Sequence, residues 1–124
     1  MSFDIFLQAF RDGEGADADA AVLVRMLAPF IADRGEGWAL LRFLDGEADV
    51  YGLDHLASGV MINHASGRLV WNLMFEMAQG AGLTIWPVGC PAAVTVDSAL
   101  ADLPPELRSD AVVVRSGDDH PSIG

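Results

Sequence analysis

One cysteine and three histidines are the residues of this chain best suited to nucleophilic or acid–base chemistry. Cys90 lies between Gly89 and Pro91, in a turn that could expose its thiol, and His55 or His64 could serve it as a general base. No arginine or histidine is near Cys90 in sequence, and cysteine is more often buried than reactive. We therefore expect Cys90 to be dispensable. The alternative hypothesis is a small enzyme or ligand-binding protein with a pocket near Cys90, His55 and His64.

Metal ligation is not expected. His55 and His64 are nine residues apart, which matches none of the tight helical spacings of metal sites. Asp45, Glu47 and Asp49 alternate like the first ligands of a calcium loop, but the glycine and the final glutamate of that loop are missing. These three acids are more simply the solvent side of a hairpin. We expect no metal and no cofactor.

The charge balance narrows the choice of partner. The chain has eighteen acidic residues, seven arginines and no lysine, which gives it a net charge of -11, and 52% of its residues are hydrophobic. This composition indicates a compact globule with a negative surface, so nucleic acid and anionic membranes are poor partners and a basic protein is a good one. Without lysine there is no Schiff base, no pyridoxal-phosphate anchor and no phosphate-loop lysine.

Two aromatic residues on the second predicted helix could face a partner. Trp71 and Phe75 form an i, i+4 pair beside the polar stripe of that helix. At such a boundary a large side chain is either packed under a loop or left open for a partner, and packing is favoured because a small domain needs its aromatics for its core. In a homodimer the same pair would form an isologous contact.

The first half of the chain predicts a strand, a helix and a hairpin. The strand covers residues 3–10, and Arg11 to Gly15 breaks it. The helix spans about 18–28, with Asp17 or Asp19 as its cap, and its regular part ends near Leu27 because Pro29 cannot donate to the helix ladder. The hairpin covers 38–53, with its turn at Asp45 and Gly46.

The second half predicts another helix between short strands. A strand at 59–63 leads into Ser66, the expected cap of a helix over 67–80, and Gly80 and Gly82 end that helix. Extended segments follow at 83–86, 92–96 and 111–115, the last as an edge strand.

Together these elements indicate one α+β domain over residues 1–115, followed by a flexible acidic tail at 116–124. We expect two layers, with two main helices on one face of a mixed or antiparallel sheet, and the nearest common architecture is ferredoxin-like. The N-terminus lacks the pattern of a signal peptide, and no run approaches the roughly twenty apolar residues of a membrane span, so a cytoplasmic protein is expected.

The segment Phe3-Asp4-Ile5-Phe6-Leu7-Gln8-Ala9-Phe10-Arg11-Asp12-Gly13-Glu14 resembles the start of a group of small bacterial proteins without an assigned activity. The later Gly89-Cys90-Pro91 and Leu103-Pro104-Pro105-Glu106-Leu107 segments are consistent with this resemblance. In size and charge alone the chain is similar to immunity proteins of toxin systems. The favoured hypothesis is a non-catalytic module that covers a basic partner; the alternatives are a small enzyme or ligand-binding protein and a self-associating structural subunit.

Overall fold

The N-terminal strand continues into a tight hairpin. The structure is a computed structural model that describes residues 4–115. Strand β1 (Ile5–Arg11) turns at Asp12 and Gly13 into β2 (Glu14–Ala16), and both turn residues have positive φ, 53° and 84°. An Asp-Gly pair suits such a turn because aspartate and glycine tolerate this conformation better than other residues. The predicted break at Arg11 to Gly15 contains this turn, but β2 was not predicted. Residue 3 and the tail 116–124 lie outside the described residues.

The first helix ends where the proline predicts. Helix α1 (Ala20–Leu27) begins after Asp19, whose carboxylate accepts hydrogen bonds from the backbone N–H groups of Ala21 and Val22, at 3.1 and 3.3 Å. A separate 3₁₀ turn, Ala28–Phe30, carries Pro29 and places Phe30 against Phe43, with ring centroids 4.8 Å apart. The predicted cap and end of this helix are confirmed.

Three antiparallel strands follow as a meander. They are β3 (Ile31–Gly35), β4 (Trp38–Phe43) and β5 (Gly46–Tyr51). The hairpin is confirmed, although its turn falls at Leu44 and Asp45, one residue earlier than predicted. Strand β3 was not predicted, because its largely exposed side chains give no alternation of apolar and polar residues. A 3₁₀ segment, Leu53–Ser58, connects β5 to the next strand.

The second helix connects two strands that both pair with β1. They are β6 (Val60–Asn63) and β7 (Thr84–Pro87), and helix α2 (Leu69–Ala81) runs between them. Gly82 ends α2 in the left-handed conformation, with φ of 69°. Gly80, predicted to help end the helix, lies inside it. The flexible end of the Met26 side chain of α1 packs over Gly80, 2.6 Å from where a Cβ would stand.

The C-terminal part adds a short parallel pair at one edge. Strands β8 (Ala93–Val94) and β9 (Val112–Val113) pair in parallel, and β8 is antiparallel to β7. Between them lie a 3₁₀ segment, Asp97–Asp102, and a single helical turn, α3 (Pro105–Arg108). The predicted final edge strand is therefore present, but shorter than 111–115.

The strand order identifies a ferredoxin-like core within a larger sheet. Along the sheet the order is β3-β4-β5-β6-β1-β7-β8-β9, with β2 paired to the end of β1. The part β5-β6-β1-β7, together with α1 and α2, has the order and strand directions of a ferredoxin-like fold. The extra strands extend both edges. The chain is thus a single α+β domain with a mixed sheet and two main helices, as predicted.

The two faces of the sheet are covered unequally. The helices bury one face of the sheet, and the largest fully buried side chains of this core include Ile5, Leu7, Leu41 and Ile62 from the strands and Met74 and Met77 from α2. Alternation along the strands places Phe10, Trp86, Ala92 and Val94 on the opposite face, where Leu103 and Leu107 of the C-terminal part complete a second, smaller core. The remainder of that opposite face, over β4, β5, β6 and β1, is covered by neither helix, and we call it the open face. No helix within residues 4–115 is long and apolar enough to cross a membrane.

Candidate functional site

A row of large apolar side chains crosses the open face. Strand register places Trp38 opposite Tyr51, Tyr51 opposite Met61, Met61 opposite Phe6, and Phe6 opposite Trp86. The rings of Phe6 and Trp86 are in tilted contact, with centroids 5.8 Å apart. Tyr51 is 40% exposed, and the other four are half-buried. We call these five residues the aromatic row. The row is continuous across the open face and ends at Trp86 of β7, which also packs against the second core.

Acidic and amide groups form a second row beside the aromatic one. Asp49 lies opposite Asn63 on the neighbouring strand, and the Asn63 side-chain amide donates a hydrogen bond to the Asp4 carboxylate. The Nδ1 atom of His64 lies 3.1 Å from Oδ2 of Asp49. The Asn63 Oδ1 atom is buried and receives no hydrogen bond from the described residues. We call Asp4, Asn63 and Asp49 the acidic row.

The charge of the open face is negative. By register, Asp33 and Glu47 share this face with Asp4 and Asp49. Within the described strands of this face Arg42 is the only arginine, and its Nε atom lies 3.9 Å from the Glu47 carboxylate. Both partners of that pair are mostly exposed, so their attraction contributes little to stability. A positively charged partner would meet a favourable field here.

A cavity of about 230 Å³ opens beside the middle of the aromatic row, where Tyr51, Met61 and Phe6 line it. Gly52, Ser58 and Gly59 form part of its wall. Gly59 has φ of 101°, and a Cβ there would lie 2.5 Å from the Leu7 carbonyl oxygen, so the position must be glycine. The absence of a side chain here lets the backbone of Gly59 lie directly against Leu7 and Gln8 of β1.

Asp45 has a structural role that the sequence did not reveal. Its Oδ2 atom accepts hydrogen bonds from the backbone N–H groups of Arg68 and Leu69, at 2.6 and 3.2 Å, and so caps α2 from the hairpin turn. The predicted cap, Ser66, is wrong: its hydroxyl accepts from the Glu47 N–H at 3.0 Å, and its own N–H donates to the Glu47 carbonyl at 2.9 Å. The turn is therefore fastened to the start of α2, and Asp45 is not simply a solvated hairpin acid.

We expect Asp45→Ala to lower the free energy of unfolding by about 1 kcal/mol, because two N–H groups at the start of α2 lose their acceptor. Asp45→Asn keeps a side-chain oxygen and should cost less. Urea denaturation followed by circular dichroism measures both. Asp110→Ala, at an exposed position outside this junction, is the control and should change stability little. Equal stability of Asp45→Ala and the control would contradict the capping role.

The aromatic pair of α2 lies away from the open face. Trp71 is only 8% exposed and belongs to the main core, and Phe75 is half-buried against that core. Both are on the helix that covers the other face of the sheet. Trp71 and Phe75 therefore present no large exposed aromatic surface for the binding role considered from the sequence. The open face presents such a surface instead.

The cysteine and histidines considered for an enzyme are placed separately. Cys90 is half-buried in the turn after β7, and its N–H donates to the Pro87 carbonyl at 3.1 Å. His55 is exposed, 4.0 Å from Asp54, whereas His64 contacts Asp49. The cavity beside Gly59 is not lined by Cys90, His55 or His64. Across residues 4–115 no group of three or more His, Cys, Asp or Glu side chains is arranged to hold a metal ion.

Glu47 is exposed on the outer side of the hairpin, as the sequence predicts, whereas Asp49 on the same side is half-buried beside His64. The aromatic row is not predicted from the sequence. Trp38 and Trp86 each lie in a predicted strand, and the row is recognisable only once the strand order is known. The available signal was the alternation in β1, where Phe6, Gln8 and Phe10 lie on the face opposite Ile5 and Leu7.

No family model, curated protein or solved structure matches this chain. The resemblance of its N-terminal segment to a group of small bacterial proteins stays a prediction.

Proposed function

We propose that this protein is a non-catalytic binding module that covers a basic protein partner with its open face. The observation that carries the proposal is the aromatic row lying directly beside the acidic row, on a face that neither main helix covers. Large apolar side chains supply the contact area of protein interfaces, and the surrounding carboxylates select a partner of opposite charge. An immunity-type protein, which covers a toxin, is one module of this kind.

The combination of aromatic and acidic side chains favours a protein over a nucleic acid. Aromatic rings on an open sheet can stack on bases, but such sites depend on positive side chains for the phosphates. Here four carboxylates accompany the row, and the arginine on the described strands of this face is already paired with Glu47. Arginine and lysine side chains of a protein partner would instead gain both carboxylate and ring contacts.

The proposal is tested by capture from cells of the source organism, with the wild-type protein and two charge-matched variants as baits. In one variant, Glu47→Gln and Asp49→Asn remove two charges from the open face. In the other, Glu106→Gln and Asp110→Asn remove two charges from exposed positions near α3. We expect the wild type and the α3 variant to retain a basic protein, and the open-face variant to lose it.

Three outcomes would count against this function. The first is a captured partner that is acidic, the second is equal retention by both variants, and the third is recovery of only a second copy of this chain. The third outcome would favour the self-associating subunit. A small molecule that copurifies and is lost on replacement of Cys90 or His64 would favour the enzyme or ligand-binding alternative.

A further inference from the structure

We propose that the cavity beside Gly59 is an anchor pocket that takes one aromatic side chain from an extended segment of the partner, while an arginine or lysine two residues away on that segment reaches Asp49. This inference rests on the proposed function and specifies the chemistry of the partner at the same face. It commits to a basic segment with an aromatic residue, not to basic protein surfaces in general.

The size and lining of the cavity fit an aromatic ring. Its volume of about 230 Å³ exceeds the ~150 Å³ of a cavity known to hold benzene. Phe6, Met61 and Tyr51 give it an apolar lining, and Gly52 and Gly59 contribute backbone to its wall. Rings prefer such neighbours, since aromatic pairs and sulfur–aromatic contacts are both favourable.

A cationic side chain is a poorer occupant of the cavity itself. The residues that line it include no aspartate or glutamate. Burying an ammonium or guanidinium group without a carboxylate partner costs more than ring contact returns. The carboxylates stand instead in the acidic row, so the positive charge of the partner belongs outside the cavity.

The spacing between the cavity and Asp49 of the acidic row defines the partner sequence. Tyr51 lines the cavity, and Asp49 precedes it by two residues on the same strand and the same face. Two residues of extended chain span about 7 Å, and side chains two residues apart point to the same side. An extended partner segment along β5 would therefore set its aromatic residue in the cavity and a cation two positions away at Asp49.

The test uses synthetic peptides that differ only in these features. The first peptide is Gly-Ser-Gly-Trp-Ser-Arg-Gly-Ser. In the second the tryptophan is replaced by alanine, and in the third the arginine is replaced by glutamate. The fourth, Gly-Ser-Ser-Gly-Trp-Arg-Gly-Ser, has the composition of the first with the two side chains adjacent. Binding is measured by amide NMR of the protein, because the Gly52 and Gly59 signals report on the cavity directly.

We expect the first peptide to bind with a Kd below about 1 mM and to shift the Gly52 and Gly59 signals. Each of the other three peptides should bind at least ~10-fold more weakly, since truncating a buried anchor or reversing a facing charge costs that much or more. In the protein, Ser58→Phe fills the rim of the cavity at an exposed position and should weaken the first peptide at least ~10-fold. Ser109→Phe, exposed at the end of α3, is the matched control and should not.

The inference is overturned if the first peptide does not bind, if it binds without shifting Gly52 or Gly59, or if Ser58→Phe and Ser109→Phe behave alike. The inference is also overturned if the third peptide, with glutamate in place of arginine, fails to bind while the second, with alanine in place of tryptophan, binds as well as the first. That result would still support an open face that selects its partner by charge. Failure of the broader function is seen separately, as failure of the open-face charges to determine capture of a basic protein.

Discussion

Replacing Gly46 with alanine should lower the free energy of unfolding by about 3 kcal/mol, because the new methyl group would collide with a fixed piece of backbone. A Cβ at Gly46 would lie 2.1 Å from the Ser66 carbonyl oxygen and 2.5 Å from its carbonyl carbon. Relief requires the turn and the start of α2 to separate. That separation would weaken the three hydrogen bonds between Ser66 and Glu47 as well as the cap from Asp45. Urea denaturation of the two proteins measures the difference.

Gly13→Ala is the matched control for this prediction. Gly13 has φ of 84°, so alanine there is strained, but nothing lies within 4 Å of its added Cβ. Conformational strain alone should cost about 1 kcal/mol. Gly46 has no such positive φ, and its cost is steric. If Gly46→Ala were no more destabilising than Gly13→Ala, the close contact between the hairpin turn and α2 would not be rigid, and the long-range cap would lose its support.

The features that sequence predicts well are those decided by neighbours along the chain. Asp19 caps α1 through N–H groups two and three residues ahead, and Pro29 ends the regular helix within its own turn. The β4–β5 hairpin follows from alternation on both sides of one turn. In each case the energy that selects the conformation arises within a few residues, so it can be recognised before any tertiary contact is known.

The cap of α2 shows why similar reasoning fails at a distance. Ser66 is the right type of residue, close to the right position, and it was the better choice on local grounds. The carboxylate that caps the helix comes from Asp45, 23 residues before the N–H of Arg68. Only the packing of the hairpin beside α2 brings the two together, and that packing depends on Gly46 having no side chain.

The open face could not be predicted for a related reason. Phe6, Met61 and Trp86 come from three segments far apart in sequence, and each by itself resembles an ordinary half-buried strand residue. They become one surface because β1 lies between β6 and β7, in register with both. The extent of the uncovered area is also a tertiary property. The C-terminal 3₁₀ segment and α3 pack in one cluster with Phe10 and Trp86, and Met61 and Tyr51 are not part of that cluster.

The association rate with a captured basic partner should fall at least ~10-fold between low salt and physiological salt. The negative field of the open face extends roughly 30 Å at 0.01 M ionic strength but only about 8 Å at 0.15 M. The dissociation rate should change much less, because it depends on contacts already formed. Stopped-flow or surface-based kinetics at several salt concentrations separate the two rates.

Glu47→Gln with Asp49→Asn should reduce the low-salt association rate by several-fold and flatten its dependence on salt. Asp45 is left intact in this variant because its loss would disturb the start of α2 as well as the charge. The pair Glu106→Gln with Asp110→Asn removes the same net charge from exposed positions near α3 and separates a local field from a general one. Equal slowing by both pairs would mean that total charge alone steers the partner. An association rate indifferent to salt would mean that the acidic row plays no part in the encounter, and the aromatic row would then have to account for recognition by itself.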